Sequence, residues 1–204
     1  PAGYPAAGWV GHPAPGTRRG EVRWNGKLVD PATFLVPPRA AYTAQVPRLF
    51  SESLRDNIVG GLGAADLEAA VRAAVLEEDV AAMEHGYETL VGPRGVRLSG
   101  GQVQRAAAAR MLAREAELLV VDDLSSALDV DTERVLWERL AGRRDATFLV
   151  VSHRRAVLRR ADRVLVLRDG RVEDEGRLEE LLVRCAEMRR LWQEEAEQPV
   201  VTSA

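Results

Sequence analysis

The feature that most constrains the fold of this chain is the alternation of short apolar segments with longer segments of helical periodicity. Leu118–Val121 is wholly apolar, and Thr147–Ser152 and Arg163–Leu167 have the short, apolar character of further strands. Strands of this kind, separated by helices, are typical of a parallel sheet that is covered on both faces. The sequence therefore predicts an α/β fold with a mostly parallel central sheet.

Four helices are predicted from apolar residues at helical spacing or from runs of strong helix formers. They are expected at Ala64–His85, Gln102–Glu115, Thr132–Leu140 and Leu178–Glu195. A short buried strand is expected ahead of them, at Ala40–Val46.

Two turn signals predict hairpins. Asn25-Gly26 joins two alternating segments, 21–24 and 27–29, and this dipeptide is typical of a type I′ turn. Asp169-Gly170 joins the strand at Arg163–Leu167 to a segment at Arg171–Glu173. An antiparallel pair is therefore expected near each end of the chain.

The charge balance excludes some classes of function. The 204 residues carry a formal net charge of −3, whereas a general nucleic-acid-binding domain is usually basic, so no nucleic-acid partner is expected. No apolar run approaches the roughly 20 residues that span a bilayer, and no signal peptide is recognisable. Cys185 is the only cysteine, which excludes an intramolecular disulfide and predicts a buried packing residue.

Two acidic residues, Asp122 and Asp123, follow the strand at Leu118–Val121. Ligands of open α/β sheets bind beyond the carboxyl ends of the strands. A carboxylate held there suits Mg²⁺, which prefers one or two carboxylates together with phosphate oxygens. The alternative is a solvated surface turn, because many strands end in an acidic residue.

The segment Leu98–Gln102 (Leu-Ser-Gly-Gly-Gln) opens a predicted helix. Ser99 is a good N-cap, and Gly100 and Gly101 allow a ligand to approach the backbone closely. The free N–H groups and the helix dipole together favour an anion. The alternative interpretation is an ordinary capped helix after a flexible loop.

Two further polar residues lie at the ends of predicted strands. Gln45 lies near the end of the strand at Ala40–Val46, and His153 follows Val150-Val151-Ser152. Taken alone, such a glutamine is solvated in most proteins, and such a histidine is more often a structural group than a catalyst.

The order of these segments resembles the nucleotide-binding domain of ABC transporters. Gln45 matches the Q-loop glutamine, and Leu98–Gln102 matches the family signature in full. Leu118–Asp122 matches the Walker B strand, Ser126–Asp129 the D-loop, and His153 the switch histidine. The resemblance implies a P-loop NTPase of the ABC type, here partial, with an inserted α-helical subdomain at about residues 51–113.

The resemblance also implies the ligands and the roles of single residues. ATP and Mg²⁺ are the expected ligands, with Mg²⁺ bound by Asp122 and Gln45. Asp123 and His153 are the expected catalytic residues. The expected nucleotide-binding residues are those of the matched motifs, namely Gln45, Ser99, Gly100, Gly101, Gln102, Asp122 and Asp129.

Finer resemblance indicates the exporter branch of the family. Gln45-Val46-Pro47 with the following Leu49-Phe50-Ser51, and the loop Thr89–Gly95, are similar to the exporter Q-loop and to the loop that contacts the membrane domain. The implied partners are a second ABC ATP-binding domain, paired head to tail, and a transmembrane domain. The implied location is the cytoplasmic face of the plasma membrane.

The chain departs from the family pattern at two points. No G-x-x-x-x-G-K-[ST] phosphate loop (Walker A) occurs in the 204 residues, and the only lysine, Lys27, follows the hairpin turn. Asp123 stands where the family usually has glutamate, which is one methylene longer. The resemblance thus predicts a partial domain at 20–196, with irregular residues at 1–19 and a tail at 197–204, inactive on its own.

The expected function is the coupling of ATP binding and hydrolysis to membrane transport, with export as the favoured direction. Two alternatives stay open at this point. One is a truncated or decayed fragment that catalyses nothing. The other is a soluble ABC ATPase that acts on DNA or ribosomes.

Overall fold

The backbone of the chain divides into two compact units, with the boundary between Leu35 and Val36. The computed structural model describes residues 21–61, 66–143 and 145–197. The segment 1–19 and all but the first residue of the tail 197–204 lie outside this description. The predicted domain limits therefore stay a prediction.

The described part of the first unit is a hairpin followed by one helical turn. Strands β1 (Val22–Trp24) and β2 (Lys27–Val29) pair antiparallel, as the sequence predicts. Asn25 and Gly26 have φ angles of +47° and +78°, which a type I′ turn requires. Helix α1 (Pro31–Phe34) follows, capped by the Asp30 side chain.

The second unit contains the predicted parallel sheet. Strands β3 (Ala40–Thr43), β4 (Leu118–Asp122) and β5 (Thr147–Val151) lie in the order β3-β4-β5 and are parallel. Strand β3 ends at Thr43, not at Val46 as predicted. The chain leaves the sheet there, and the Gln45 carbonyl accepts a hydrogen bond from Gln104 instead of a strand neighbour.

The inward face of the sheet packs against helix α5 (Gly100–Leu112). The alanines at 106–109 are all buried, and the Thr43 hydroxyl donates to the carbonyl of Ala107. Leu119 of β4 is only 1% exposed on this face. Small side chains on α5 let helix and sheet approach closely, so this contact forms the main core.

The outward face of the sheet is open among the described residues. Tyr42, Leu149 and Val151 are 48%, 51% and 60% exposed. The sequence predicts a cover on both faces, because apolar side chains occupy both. Within the described ranges a helix covers the inward face only.

Helices fill the segment between β3 and β4. They are α2 (Leu54–Val59), α3 (Leu67–Ala73), α4 (Glu77–Ala82), a 3₁₀ turn at Gly86–Glu88, and α5. All of them fall within residues 51–113, the range for which a helical subdomain is predicted.

The single helix predicted at Ala64–His85 is wrong, because the described part of this range contains both α3 and α4. The break lies at Val75, whose φ angle is +56°. The reversal buries Ala74 and Leu76 on either side of it completely. Burial of these two side chains offsets the strain of a β-branched residue in the left-handed region.

The rest of the chain forms α6 (Val130–Ala141), α7 (Arg155–Leu158), β6 (Val164–Arg168), β7 (Arg171–Gly176), α8 (Leu178–Arg184) and α9 (Ala186–Glu197). Strands β6 and β7 form the predicted second hairpin. The single helix predicted at Leu178–Glu195 is interrupted at Cys185, which is extended and buried in a second core with Leu181 and Met188. No helix within the described ranges is long and apolar enough to cross a membrane.

The two faces of the sheet should respond differently to truncation of a leucine. We expect Leu119→Ala to lower the free energy of unfolding by about 2–5 kcal/mol, because it leaves a cavity in the core. Leu149→Ala should lower it by less than about 1 kcal/mol, because the side chain is half exposed. Urea unfolding of the 204-residue chain measures both. Equal decreases in the free energy of unfolding for the two variants would mean that the outward face is covered in solution.

Candidate functional site

The carboxyl ends of the three parallel strands bring four predicted site residues to one edge of the sheet. Gln45 follows β3, Asp122 is the last residue of β4 with Asp123 directly after it, and His153 follows β5. The register pairs Asp122 with Val151, so the ends of β4 and β5 are level. We call Gln45, Asp122, Asp123 and His153 the sheet-edge cluster.

Gln45 and Asp123 are in direct contact within this cluster. The Gln45 side-chain amide donates to Asp123 Oδ2 at 3.3 Å. Asp123 Oδ1 is buried and has no hydrogen-bond partner among the described residues. The backbone of Asp123 has a φ angle of +45°, and its N–H donates to the Val151 carbonyl at 2.9 Å. The fold thus holds Asp123 in a strained conformation, with one buried carboxylate oxygen that lacks a partner among the described residues.

Tyr42 is a member of this edge that the sequence did not predict. Its hydroxyl donates to Asp122 Oδ2 at 3.4 Å. Burial, together with the neighbouring Asp122 carboxylate, raises the pKa of the Tyr42 phenol. The contact depends on the register that pairs Tyr42 with Val120, two positions before Asp122 and on the same side of the strand. Such a register is not readable from one strand alone.

The signature segment begins helix α5, as predicted, although the helix starts at Gly100 and not at Gln102. Ser99 is the N-cap, and Ser99 and Gln102 form a reciprocal capping box. The Gln102 side-chain amide also donates to Asp79 at 2.8 Å. Gln102 therefore has its polar groups occupied within the chain, while the Ser99 hydroxyl and the first N–H groups of α5 lie at an exposed helix end.

The two glycines of the signature meet different surroundings. A Cβ atom on Gly101 would lie 2.9 Å from the Ala127 carbonyl oxygen, too close for any side chain. A Cβ atom on Gly100 would meet only the Ala127 Cβ, at an ordinary 3.4 Å. Gly101 is therefore required by packing within the chain, whereas the described residues do not require glycine at position 100.

Asp129 has a structural role that the sequence did not predict. It is the N-cap of α6 and accepts hydrogen bonds from the backbone N–H and the hydroxyl of Thr132. The Thr132 backbone N–H, followed by the Thr132 hydroxyl, lowers the pKa of Asp129 below its ordinary value. The loop 123–129 is thus held at its end by a helix cap.

A buried carboxylate connects this loop to the residue after His153. Glu133 accepts from the Ser125 hydroxyl at 2.5 Å, and its second oxygen lies 3.7 Å from a guanidinium nitrogen of Arg154. Glu133 and Ser125 are both buried. An acidic residue in a helical segment gives no signal of this role, because its partners come from other parts of the chain.

The donor set of the sheet-edge cluster suits a hard divalent cation. Asp122 and Asp123 offer carboxylate oxygens, and Gln45 offers an amide oxygen. The unpartnered Oδ1 of Asp123 is consistent with a ligand at this point. The described ranges contain no group of three or more His, Cys, Asp or Glu side chains that could bind a metal alone, so phosphate or water oxygens would complete the coordination shell.

Comparison with known proteins gives consistent matches. Residues 11–126 match the family described as ABC transporter. The mitochondrial potassium channel ATP-binding subunit of Pongo abelii is 42% identical over 76% of this chain. The ATP-dependent lipid A-core flippase of Alkalilimnicola ehrlichii is 40% identical over 81% of it, and the mycobactin import ATP-binding/permease protein IrtB of Mycolicibacterium smegmatis is 40% identical over 83%.

A solved structure agrees with these relatives. A bacterial Atm1-family ABC exporter with ATP bound superposes with a TM-score of 0.80 and 29% identity over 89% of this chain. The chain covers 33% of that exporter chain. It covers 22% of the potassium channel subunit, 29% of the lipid A-core flippase and 31% of IrtB. It therefore spans between about a fifth and a third of the length of these proteins.

The cap at Asp129 should make stability depend on pH. We expect Asp129→Ala to lower the free energy of unfolding by about 0.5–2 kcal/mol at neutral pH. The folded-state pKa is depressed, so the charged carboxylate stabilises the fold above the unfolded-state pKa, and this contribution disappears as pH falls through the folded pKa. Asp129→Asn keeps an acceptor without the charge and is the matched control.

Urea unfolding at a series of pH values from neutral to acid measures this dependence. The stability difference between the unmodified chain and Asp129→Asn should be largest near neutral pH and should vanish in acid. A difference that does not change with pH would contradict the role of the charge.

Proposed function

Because the chain belongs to the ABC transporter family of ATP-binding domains, we propose that it binds ATP and couples ATP hydrolysis to transport, in an exporter. The observation that carries this proposal is the sheet-edge cluster, in which Gln45 contacts Asp123 beside the family's Mg²⁺-binding position, Asp122. Open α/β sheets bind ligands at this edge. The related exporter structure contains ATP, which supports the choice of nucleotide.

The residues of the sheet-edge cluster have separable roles in this proposal. Asp122 and the Gln45 amide oxygen would bind Mg²⁺, which neutralises charge on the ATP phosphates when bound. Asp123 would orient the attacking water through its unpartnered oxygen. His153 is exposed after the end of β5 and would contact the terminal phosphate from the same edge.

The start of α5 would bind the phosphates of a second ATP, held by another domain. The Ser99 hydroxyl and the N–H groups of Gly100 and Gly101 lie at the positive end of the helix dipole. Gly100 supports this role, because the chain's own packing leaves room for a side chain there. A ligand that approaches from outside explains why glycine occupies the position.

The proposal includes two partners for this chain. A second ABC ATP-binding domain would pair head to tail with this one, so that each ATP lies between the sheet-edge cluster of one domain and the α5 start of the other. A transmembrane domain would contact the exposed apolar residues Phe50, Leu90 and Val96, whose segments are joined by the bridges Ser53 to Leu90 and Val91 to Val96. The domain would then lie at the cytoplasmic face of the plasma membrane.

Mixing two inactive variants tests the exchange of motifs between domains. The chain is prepared with a family phosphate-loop segment fused directly N-terminal to Gly20. Gly100→Asp should abolish its ATP turnover, because a carboxylate at the α5 start repels phosphate, and Asp122→Asn should abolish it by removing the metal-binding charge. An equimolar mixture should regain turnover, because one of the two composite sites is then intact.

ATP turnover of each variant and of the mixture is the measurement. Gly101→Ala is the control for a disturbed fold, because its Cβ atom clashes with Ala127 within the chain and should lower thermal stability, which Gly100→Asp should not. A mixture that stays inactive, or full turnover by Gly100→Asp alone, would contradict the proposal.

The length of the side chain at position 123 should limit hydrolysis. In the same phosphate-loop-bearing chain, Asp123→Glu should raise kcat several-fold, because the longer side chain reaches the water, and general-base catalysis contributes about 10²–10⁴-fold. Asp123→Asn is the matched control, since it keeps the shorter length without the basic oxygen and should be slower than Asp123. Equal steady-state rates for Asp and Glu would contradict this prediction.

A further inference from the structure

Gln104 lies two residues beyond the signature and contacts two other motifs at once. It is 4% exposed. Its Nε2 donates to the Ser126 hydroxyl at 2.7 Å and to the Gln45 carbonyl at 3.5 Å. Its Oε1 accepts from the Ala127 backbone N–H at 3.0 Å. A single buried amide therefore joins α5 to the segment after β3 and to the loop 123–129.

The chemistry of the partners determines how this amide is oriented. The Ala127 N–H can only donate and the Gln45 carbonyl can only accept, so the reverse orientation of the Gln104 amide would lose both bonds. The Ser126 hydroxyl in turn donates to the Asp123 carbonyl at 3.2 Å. A continuous series of hydrogen bonds thus runs from α5 to the backbone of Asp123 in the sheet-edge cluster.

The first turn of α5 also contacts the same loop directly. The Ala127 carbonyl lies 2.9 Å from the point that a Cβ atom on Gly101 would occupy, and the Leu128 side chain lies 3.3 Å from that point. Close packing of Gly101 against Ala127 and Leu128 and the hydrogen bonds of Gln104 therefore both hold the loop against α5. The start of α5 and the loop 123–129 cannot shift past each other without breaking both.

We infer that Gln104 is a positioning residue that makes the Gln45 segment, the loop 123–129 and the start of α5 move as one unit. This inference rests on the proposed function, in which Gln45 serves an ATP in its own domain and Ser99 to Gly101 serve the ATP of the partner domain. A displacement of Gln45 on binding ATP and metal is then passed to the residues that contact the other ATP. Gln104 couples the two sites without touching either nucleotide.

Residue-resolved hydrogen exchange on the full 204-residue chain tests the link itself. Gln104→Met keeps the side-chain volume and removes the hydrogen bonds to Gln45, Ser126 and Ala127. The Ala127 amide should then exchange about five- to tenfold faster than the change in global stability accounts for, the effect of losing about one net hydrogen bond.

Thr43→Val is the matched control, because it removes a buried hydrogen bond to the same helix, at Ala107, and none to the loop. It should leave the Ala127 amide protected. Unchanged protection of Ala127 in Gln104→Met, or equal acceleration in Thr43→Val, would overturn the inference.

ATP turnover of the phosphate-loop-bearing chain tests the consequence for function. Gln104→Met should lower kcat about tenfold or more, because a displacement of about 1 Å at reacting groups is costly, and leave KM for ATP nearly unchanged. Thr43→Val should keep kcat. If hydrogen exchange changes but kcat does not, Gln104 is a packing residue only and the inference is wrong. If even the unsubstituted chain has no turnover, the proposed function fails, and hydrogen exchange still decides whether the link exists.

Discussion

The contact between the alanine-rich face of α5 and the inward face of the sheet is the interaction on which the rest of the second unit depends. Alanines at 106–109 lose little side-chain entropy on burial and let the helix axis lie close to β3. The same contact places Gln104 beside the Gln45 carbonyl and Gly101 beside Ala127. One apolar contact therefore positions both the sheet-edge cluster and the start of α5. The hydrogen bonds of Gln104 add to this positioning.

Sequence patterns best predict the features that depend on residues close together in the chain. The turn at Asn25-Gly26, the cap at Ser99 and the apolar strand at Leu118–Val121 all occur where short-range rules place them. The breaks at Val75 and Cys185 could not be read in the same way, because each depends on burial against residues distant in the chain. Helical periodicity continues across both positions, so the pattern gives no sign of the reversal.

The same distinction between local and long-range determinants applies to the candidate site. The four residues of the sheet-edge cluster lie at or just after the ends of strands. Parallel strands bring these ends together, so the edge of the sheet was predictable from the order of the segments. The roles of Tyr42, Gln104 and Glu133 were not predictable, because each depends on a partner elsewhere in the sequence. The partner of Tyr42 lies 80 residues away, that of Gln104 lies 22 residues away, and that of Glu133 lies 8 residues away. Asp129 is a third case, in which a motif residue is also the cap of the helix that follows.

The different surroundings of Gly100 and Gly101 affect which substitutions such a chain can accept during evolution. A side chain at position 101 would meet the Ala127 carbonyl, so a descendant that loses this glycine also loses stability. Gly100 has no such internal constraint among the described residues. Under selection for folding alone, position 100 would therefore accept substitutions more readily than position 101.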